Sequence, residues 1–296
     1  MYPIKVTRRA CLIGAGFAAW AARAQQAPLR LAAKDDDAGD WVCPMDPDVR
    51  SKQPGVCPRC GMKLVRSVPE RVNYRLEVTH DQEQIVPHQP CVLRFRAFDP
   101  RTGEPAAKFE IVHERLMHLF VVSEDLEYFL HDHPVPQPDG SFLLTVTFER
   151  GGMHRLLADF YPTGSVPQLA YSTLYAAGSS TAAHLEPSLA PSKSVNLAAA
   201  LRIEPEQLLA GFETRLTFDL EPRQGVEPYL GAWGHMLAAS EDVIDLLHVH
   251  PYLTDGEGTM QFNLIFPRPG MYKIWTQFQR LGVVNTVVFV LPVAGL

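Results

Sequence analysis

Short runs of alternating apolar and polar residues dominate the chain from residue 73 onwards. Seven such runs, among them YRLEV, QPCVLRFRAF and SFLLTVTFE, follow one another over about 100 residues, with turn-forming sequences such as Asp99 to Gly103 between them. Period-two alternation rich in β-branched and aromatic residues is typical of strands that bury one face. The pattern therefore predicts an antiparallel β-sandwich over residues 73–178, without helices.

The second half of the chain again contains short alternating runs, after a segment of different composition. Residues 179–194 are small, polar and proline-bearing, which predicts a linker. Residues 195–293 again contain short strand-like runs, such as ETRLTFDLEP and GMYKIWTQFQR. The predicted fold class is all-β: two tandem antiparallel sandwiches, immunoglobulin-like or cupredoxin-like, preceded by a small cysteine-rich segment.

An 18-residue pattern occurs once in each half. Residues 117–134 and 234–251 align without a gap at an offset of 117 positions. Six of the eleven histidines fall into two equivalent triads: His118, His131 and His133, and His235, His248 and His250. Each copy is an apolar run, a Ser-Glu-Asp break and a second apolar run ended by proline, which predicts two strands joined by a short loop.

The spacing predicts that the histidines of each triad converge. Side chains alternate along a strand, so His131 and His133 share a face. If Ser123 to Leu126 form a four-residue loop, His118 lies directly opposite His131. Neutral imidazole is the commonest side-chain metal ligand, so the pattern predicts one metal site in each sandwich. Alternatively, a duplicated domain repeats structural residues too, and the histidines would then only pack the hairpins.

Two sandwiches of this kind predict two independent sites. We expect His131→Ala to weaken the first site and to leave the second untouched. Gly152 to His154 aligns with Gly270 to Tyr272 once one residue is inserted, which places Met153 and Met271 at equivalent positions. These methionines are further candidates for completing a His/Met site, although a methionine in a strand commonly belongs to the core.

The amino terminus predicts export. Arg8 and Arg9 precede an apolar stretch that is too short to span a bilayer, and Ala22 to Ala24 supply the small residues of a cleavage site. Residues 1–24 are therefore a predicted signal peptide, which resembles the twin-arginine kind, and residues 25–40 are a predicted flexible lead-in. The mature protein is expected in the periplasm or otherwise exported, with no membrane span. A net charge of −6 without a basic stripe argues against a nucleic-acid partner.

A cysteine-rich segment occupies residues 41–66. Cys43 is followed after thirteen residues by Cys57-Pro-Arg-Cys60, a spacing that can aim three thiolates at one ion. Met45 and Met62 add thioether sulfur, which suits soft ions such as Cu(I). A redox dithiol or a structural zinc knuckle is the alternative.

This segment resembles the heavy-metal-binding domain found at the ends of copper-efflux adaptors and copper-pumping ATPases. The matching positions are Cys43, Pro44, Met45, Pro47, Pro54, Gly55, Cys57, Pro58, Cys60, Gly61, Met62 and Leu64. Trp41 and Asp46 depart from the pattern, which has tyrosine and histidine there. Asp46 could replace the missing histidine as a zinc ligand, because carboxylate oxygen is acceptable to zinc.

The two-domain part, with Gly234-His235-Met236 and His248-Val249-His250-Pro251, looks like exported proteins in which such a segment precedes immunoglobulin-like or cupredoxin-like repeats with His-x-His-Pro hairpins. This resemblance implies copper handling and little about mechanism. We expect a metal-binding protein for copper buffering, transfer or resistance, with copper as Cu(I) or Cu(II), and zinc as the alternative. A metal efflux or delivery protein is a possible partner. The rival hypotheses are a copper- or zinc-dependent enzyme with an open three-histidine centre, and a structural adaptor of a metal efflux system.

Overall fold

The computed structural model describes residues 40–43, 49–66, 72–252 and 259–296. Every regular element in these ranges is a β-strand, and the strands number 21. The predicted all-β fold with β-sandwich domains is confirmed. The predicted signal peptide and all but the last residue of the predicted lead-in lie outside the described residues. Within the described ranges, no helix is long and apolar enough to cross a membrane.

A small three-stranded sheet carries the cysteine segment. Its strands are β1 (Trp41–Val42), β2 (Arg50–Ser51) and β3 (Val65–Arg66), in the order β2-β1-β3. Trp41 pairs antiparallel with Ser51 on one side and with Arg66 on the other. Cys43 directly follows β1, so this sheet fixes the first cysteine relative to the loop that carries the other two.

The first sandwich contains eight strands: β4 (Arg75–His80), β5 (Pro90–Phe98), β6 (Met117–Ser123), β7 (Phe129–Asp132), β8 (Val135–Pro136), β9 (Phe142–Thr147), β10 (Gly152–Phe160) and β11 (Gln168–Ala176). Its two sheets have the orders β4-β5-β9-β8 and β11-β10-β6-β7. Alternation along β5 builds the core, since Cys91, Leu93, Phe95 and Ala97 are buried and the residues between them less so. Burial raises the pKa of the Cys91 thiol to about 11, as expected of a core residue.

The second sandwich contains ten strands: β12 (Ser192–Lys193), β13 (Ala198–Glu204), β14 (Leu208–Leu209), β15 (Glu213–Glu221), β16 (Val226–Glu227), β17 (His235–Ser240), β18 (Leu246–Val249), β19 (Thr259–Ile265), β20 (Gly270–Arg280) and β21 (Val283–Ala294). One sheet has the order β12-β13-β15-β19. The other has the order β14-β21-β20-β17-β18, with β16 also paired to β20. A cluster of buried phenylalanines, centred on Phe218 and Phe278, packs between them.

The equivalent strands β6 and β17 are buried on both faces. One face of each strand contributes to the core of its own sandwich, for example through Leu119 and Met236. The opposite faces, which carry Phe120 and Leu237, join a third apolar cluster that contains residues of both sandwiches. Because His118 and Phe120 are two residues apart on β6, the histidine also faces the partner sandwich. The triads therefore lie where the two domains meet.

The register of the hairpin differs by two residues from the predicted one. Phe120 lies opposite His131, where the prediction placed His118. The chain closes instead between Ser123 and Tyr128, whose backbone N–H groups donate to the other residue: to the Tyr128 carbonyl at 3.2 Å and to Ser123 Oγ at 2.9 Å. The second hairpin has the equivalent register. A shift of two residues keeps each side chain on its predicted face, so the triads still converge.

Candidate metal centres

The first triad brings three ring nitrogens together. His118 Nδ1 lies 3.3 Å from His131 Nε2 and 3.2 Å from His133 Nε2. One ligand atom from each of the three residues lies within 4.8 Å of the others. Nitrogen atoms that ligate one ion at about 2.0 Å are about 3.3 Å apart in a tetrahedral site, so this spacing needs little adjustment to hold one ion.

Hydrogen bonds on the outer sides of the rings set which nitrogens face inward. His118 Nε2 donates to the Val112 carbonyl at 3.0 Å, and His131 Nδ1 donates to Gln277 Oε1 at 2.7 Å. The Gln277 amide is oriented by its Nε2, which donates to Thr286 Oγ1. Both outer nitrogens therefore carry the hydrogen, and in a neutral ring the inner nitrogen presents a lone pair. Two lone pairs 3.3 Å apart repel each other, and a cation between them removes that repulsion.

The second triad has the same construction. His235 Nε2 donates to the Tyr229 carbonyl at 2.9 Å, and His248 Nδ1 donates to Asp159 Oδ2 at 2.8 Å. On the inner side, His250 Nε2 lies 2.8 Å from His235 Nδ1. The inner nitrogen of His248, Nε2, is buried and has no hydrogen-bond partner within the described ranges. A buried acceptor without a partner is costly unless something else binds it, and a metal ion would.

Burial keeps five of the six triad imidazoles uncharged at neutral pH. It lowers the pKa of His118 to about 4 and that of His133 to about 3, with the neighbouring histidines adding to the effect. Burial also lowers the pKa values of His131, His235 and His250 well below the usual value for histidine. Neutral imidazole is the form that binds metal, so the triads are ready to bind at neutral pH.

The two triads form one cluster, which the sequence did not predict. The ring centres of His131 and His235, which belong to different sandwiches, are 5.3 Å apart, and those of His118 and His248 are 5.8 Å apart. Ring centres within the first triad are 4.8 to 5.6 Å apart, so the distances between the triads are much the same. The two triads therefore lie side by side, and the independence of their sites stays a prediction.

Sequence reasoning missed three residues of this cluster: His113, Asp159 and Gln277. His113 is buried and its ring centre lies 3.8 Å from that of His250, across the domain boundary. It has no histidine counterpart in the second repeat, so nothing in the pattern indicated it. Asp159 and Gln277 are equivalent positions, directly before the aligned Phe160 and Phe278. That alignment offered a signal, although only the fold shows that both side chains contact histidines.

The cysteine segment brings its three thiols together. Cys43 Sγ lies 3.4 Å from Cys60 Sγ, and all three sulfurs lie within 4.8 Å of one another. The turn of the Cys-x-x-Cys motif is closed by Gly61, whose N–H donates to the Cys57 carbonyl at 2.9 Å. The three cysteines form no disulfide. The Cys43 thiol raises the pKa of Cys60, and burial raises that of Cys57, so a bound cation would displace thiol protons.

Comparisons with known proteins identify both parts of the chain. Residues 41–66 match the heavy metal binding domain. Residues 70–176 and residues 194–295 each match the domain of unknown function DUF8832, which together is more than half of the chain. The chain belongs to the DUF8832 family. Its heavy metal binding domain and its clusters of cysteine and histidine fit a metal-binding protein. No curated protein matches the sequence.

Several solved β-structures resemble the DUF8832 chain at low similarity. The Escherichia coli adhesin FdeC is 16% identical with a TM-score of 0.28, covering 79% of this chain and 68% of its own. The Yersinia pseudotuberculosis adhesin InvE is 10% identical with a TM-score of 0.25, covering 74% of this chain and 60% of its own. A structure of carbohydrate-binding modules from the β-sandwich superfamily is 12% identical with a TM-score of 0.23, covering 75% of this chain and 100% of its own.

The DUF8832 repeats place their predicted methionines away from the histidines. Asp159 lies opposite His118, and Met153 precedes Asp159 by six residues, which is about 20 Å along β10. Met271 precedes Gln277 by the same six residues on β20, where Gln277 lies opposite His235. Neither methionine therefore completes the triad of its own repeat. Met153 instead packs against the apolar cluster between the domains.

The other three predicted ligands belong to the heavy metal binding domain. Met45 and Asp46 lie outside the described residues. Met62 is buried in a small apolar cluster with Val112 and Tyr161 of the first DUF8832 repeat. Its side chain therefore helps to join the cysteine segment to that repeat, and its role as a ligand stays a prediction.

One cavity connects the cysteine segment with the second triad. Its volume is about 300 Å³, and Cys60, His248 and His250 all contribute to its wall. The carbonyl of Leu246 in the same wall accepts a hydrogen bond from Tyr171 of the first repeat at 3.2 Å. Residues of the heavy metal binding domain and of both repeats thus line this cavity.

Proposed function

We propose that this chain is an exported metal-binding protein that buffers or transfers copper and contributes to copper resistance. One observation carries the metal-binding part of the proposal: in each DUF8832 repeat, outer hydrogen bonds turn the lone pairs of two of the three triad histidines inward. A histidine that serves only to pack a hairpin has no reason to direct a lone pair towards the other histidines of its triad. Its inner nitrogen would sooner find a protein donor than face other lone pairs.

The combination of ligands supports copper. Three imidazoles suit Cu(II) or Zn(II), whereas three thiolates suit Cu(I) or Zn(II), and copper(II) binds more tightly than the other divalent first-row ions at a given nitrogen site. A protein that meets copper in both oxidation states needs both kinds of site. The positively charged and apolar amino-terminal sequence, followed by Ala22 to Ala24, supports export.

The shared cavity supports transfer between sites. Cys60 of the thiol site and His250 of the second triad both belong to the wall of this cavity, so the two sets of ligands lie near each other. Transfer of an ion within one protein is favoured when the two sets of ligands are neighbours.

Elemental analysis of the protein purified from a periplasmic fraction, together with a thiol count, tests the proposal. We expect more than one equivalent of copper and three reduced thiols in the cysteine segment. Cys60→Ser should lower the content by one ion, and His133→Ala should lower it by another. His184→Ala is the matched control, since that side chain is 87% exposed and distant in sequence from either triad.

The outcomes separate the parts of the proposal. Protein that takes up no metal, even when copper is supplied in excess, would refute metal binding and leave a structural role. Protein that binds only zinc in competition with copper would refute the copper assignment alone. Recovery of the protein solely in the cytoplasmic fraction, with residues 1–24 retained, would refute export.

A further inference from the structure

The two repeats exchange hydrogen bonds across the domain boundary. Asp159 belongs to β10 of the first repeat, and its Oδ2 accepts from His248 of the second triad. Gln277 belongs to β20 of the second repeat, and its Oε1 accepts from His131 of the first triad. The donors are equivalent histidines and the acceptors are equivalent positions. Each repeat therefore orients the middle histidine of the other repeat's triad.

The two acceptors differ in charge although they match in position. Asp159 is buried and lies 2.8 Å from the ring nitrogen that it accepts from. A carboxylate acceptor makes the opposite nitrogen of the imidazole a better electron donor than a neutral amide does. Removing such a partner typically costs about 10- to 100-fold in metal affinity. The triad that contains His248 therefore has a feature for tighter binding that the triad containing His131 lacks.

The two bound ions would also lie close to each other. The ring centres of His131 and His235 are 5.3 Å apart. A ligating imidazole holds its ion about 3 Å from the ring centre, given a metal–nitrogen bond of about 2.0 Å, so two ions would be at most about 12 Å apart. Two divalent ions at about 12 Å repel each other enough to weaken the second binding step about tenfold even in the dielectric of water.

We infer that the two histidine triads form a single two-ion centre across the domain boundary, in which Asp159 makes the triad of His235, His248 and His250 the first to fill. This inference rests on the proposed function, because it requires that the triads bind ions. Asp159 and Gln277 are positioning residues: each acts on an ion through the histidine it contacts, and neither belongs to the ligand triads.

Titration of the reduced, full chain with Co(II) tests the order of filling. Thiolate-to-cobalt charge transfer marks the cysteine site, and the visible bands report the nitrogen sites. His133→Ala and His250→Ala each leave one triad intact and supply the reference spectra. In the wild-type chain, the first ion on nitrogen should give the spectrum of the His133→Ala protein, in which only the second triad is intact.

Exchanging the carboxylate and the amide between positions 159 and 277 tests the role of the two acceptors most directly. Asp159→Asn keeps the shape and should weaken the second triad about 10- to 100-fold, whereas Gln277→Glu should strengthen the first. The double variant with both changes should reverse the order of filling. A merely structural role for Asp159 would not produce reversal. Asp132→Asn is the control, since that nearby carboxylate bonds the His133 backbone and no ring nitrogen, and it should leave the order unchanged.

Proximity is tested separately with His250→Ala. The first triad should bind Co(II) about tenfold more tightly in this variant than in the second step of the wild-type titration, because the neighbouring charge is gone. Circular dichroism of each metal-free variant verifies the fold. If wild-type protein binds neither Co(II) nor Cu(II) on nitrogen, the histidine part of the proposed function fails, and this inference fails with it. If it binds two ions whose order and affinities ignore both the acceptor exchange and His250→Ala, the present inference fails and the proposed function stands.

Discussion

Phe120 is the residue whose substitution tests the arrangement of the cluster most directly. Its ring is stacked against His131 of the first triad, with ring centres 4.2 Å apart and planes 10° apart. The ring of His248 from the second triad lies on it at 4.5 Å. Phe120 is 1% exposed and belongs to the apolar cluster between the domains. A single apolar ring thus supports the middle histidine of both triads.

Truncating this ring has two separable consequences. Phe120→Ala should lower the free energy of unfolding of the metal-free protein by about 3 to 5 kcal/mol, because it opens a cavity in a fully buried site. Each ring contact stabilises the binding orientation of a histidine by about 0.5 to 1.5 kcal/mol. Without these contacts, both triads should bind ions about 2- to 10-fold more weakly. A protein of ordinary stability, about 5 to 15 kcal/mol, remains folded after such a loss.

Phe95→Ala is the matched control. Phe95 is equally buried, but it belongs to the core of the first sandwich and lies on β5, away from the histidines. It should lower stability by a similar amount and leave metal affinity unchanged. Urea denaturation measures the first effect and Co(II) titration the second. Loss of affinity at only one triad in Phe120→Ala, or equal loss in Phe95→Ala, would refute the reasoning.

Three further predictions follow from the described contacts. The metal-free protein should be less stable at pH 5 than at pH 8. In the folded protein the pKa values of His113 and His118 are about 3 and about 4, which is below those of the same residues in the unfolded chain. As the pH falls, the unfolded state therefore binds protons first and is favoured. Each of these two histidines contributes about 2 kcal/mol by linkage, and urea denaturation that shows no loss of stability would contradict it. Gly234→Ala should lower the free energy of unfolding by about 1 to 3 kcal/mol, because an added Cβ would lie 2.9 Å from the Phe278 ring. Thermal denaturation measures this change, and an unchanged Tm would show that the Phe278 ring moves away without cost. Cys57→Ser should abolish the thiolate-to-cobalt bands and leave two ions on nitrogen, and loss of the nitrogen-bound ions as well would show that the sites depend on each other.

The strands and the composition of each triad could be predicted because both depend on local periodicity. Period-two alternation fixes which side chains share a face, and this parity survives a shift of two residues. The loop length could not be read from the pattern. Leu126 adopts a positive φ of 57°, its N–H donates to the Ser123 carbonyl, and the strands pair again only from Ser123 and Tyr128 outwards, so the turn extends past the polar break.

The sequence did contain an indication that the two domains dock, but an argument from period-two alternation does not use it. Residues 117–122 and 235–239 are largely apolar without alternation, which indicates a strand buried on both faces. Within a sandwich only one face of a strand packs on the core, so the second apolar face needs another partner. In this chain that partner is the other repeat. The polar partners of the histidines could not be inferred in the same way, because Asp159 and His248 are 89 residues apart and meet only after docking.

This geometry links ion binding to domain docking. The bonds from His248 to Asp159 and from His131 to Gln277 exist only while the two sandwiches are in contact, so separation would free the middle histidine of both triads at once. Whatever binds the docked state alone stabilises it, by about 2.7 kcal/mol for each ion present at 100 times its Kd. Two ions therefore contribute about as much as a large buried aromatic side chain does. If the triads bind ions as proposed, metal content as well as apolar contact would determine how firmly the two repeats hold together.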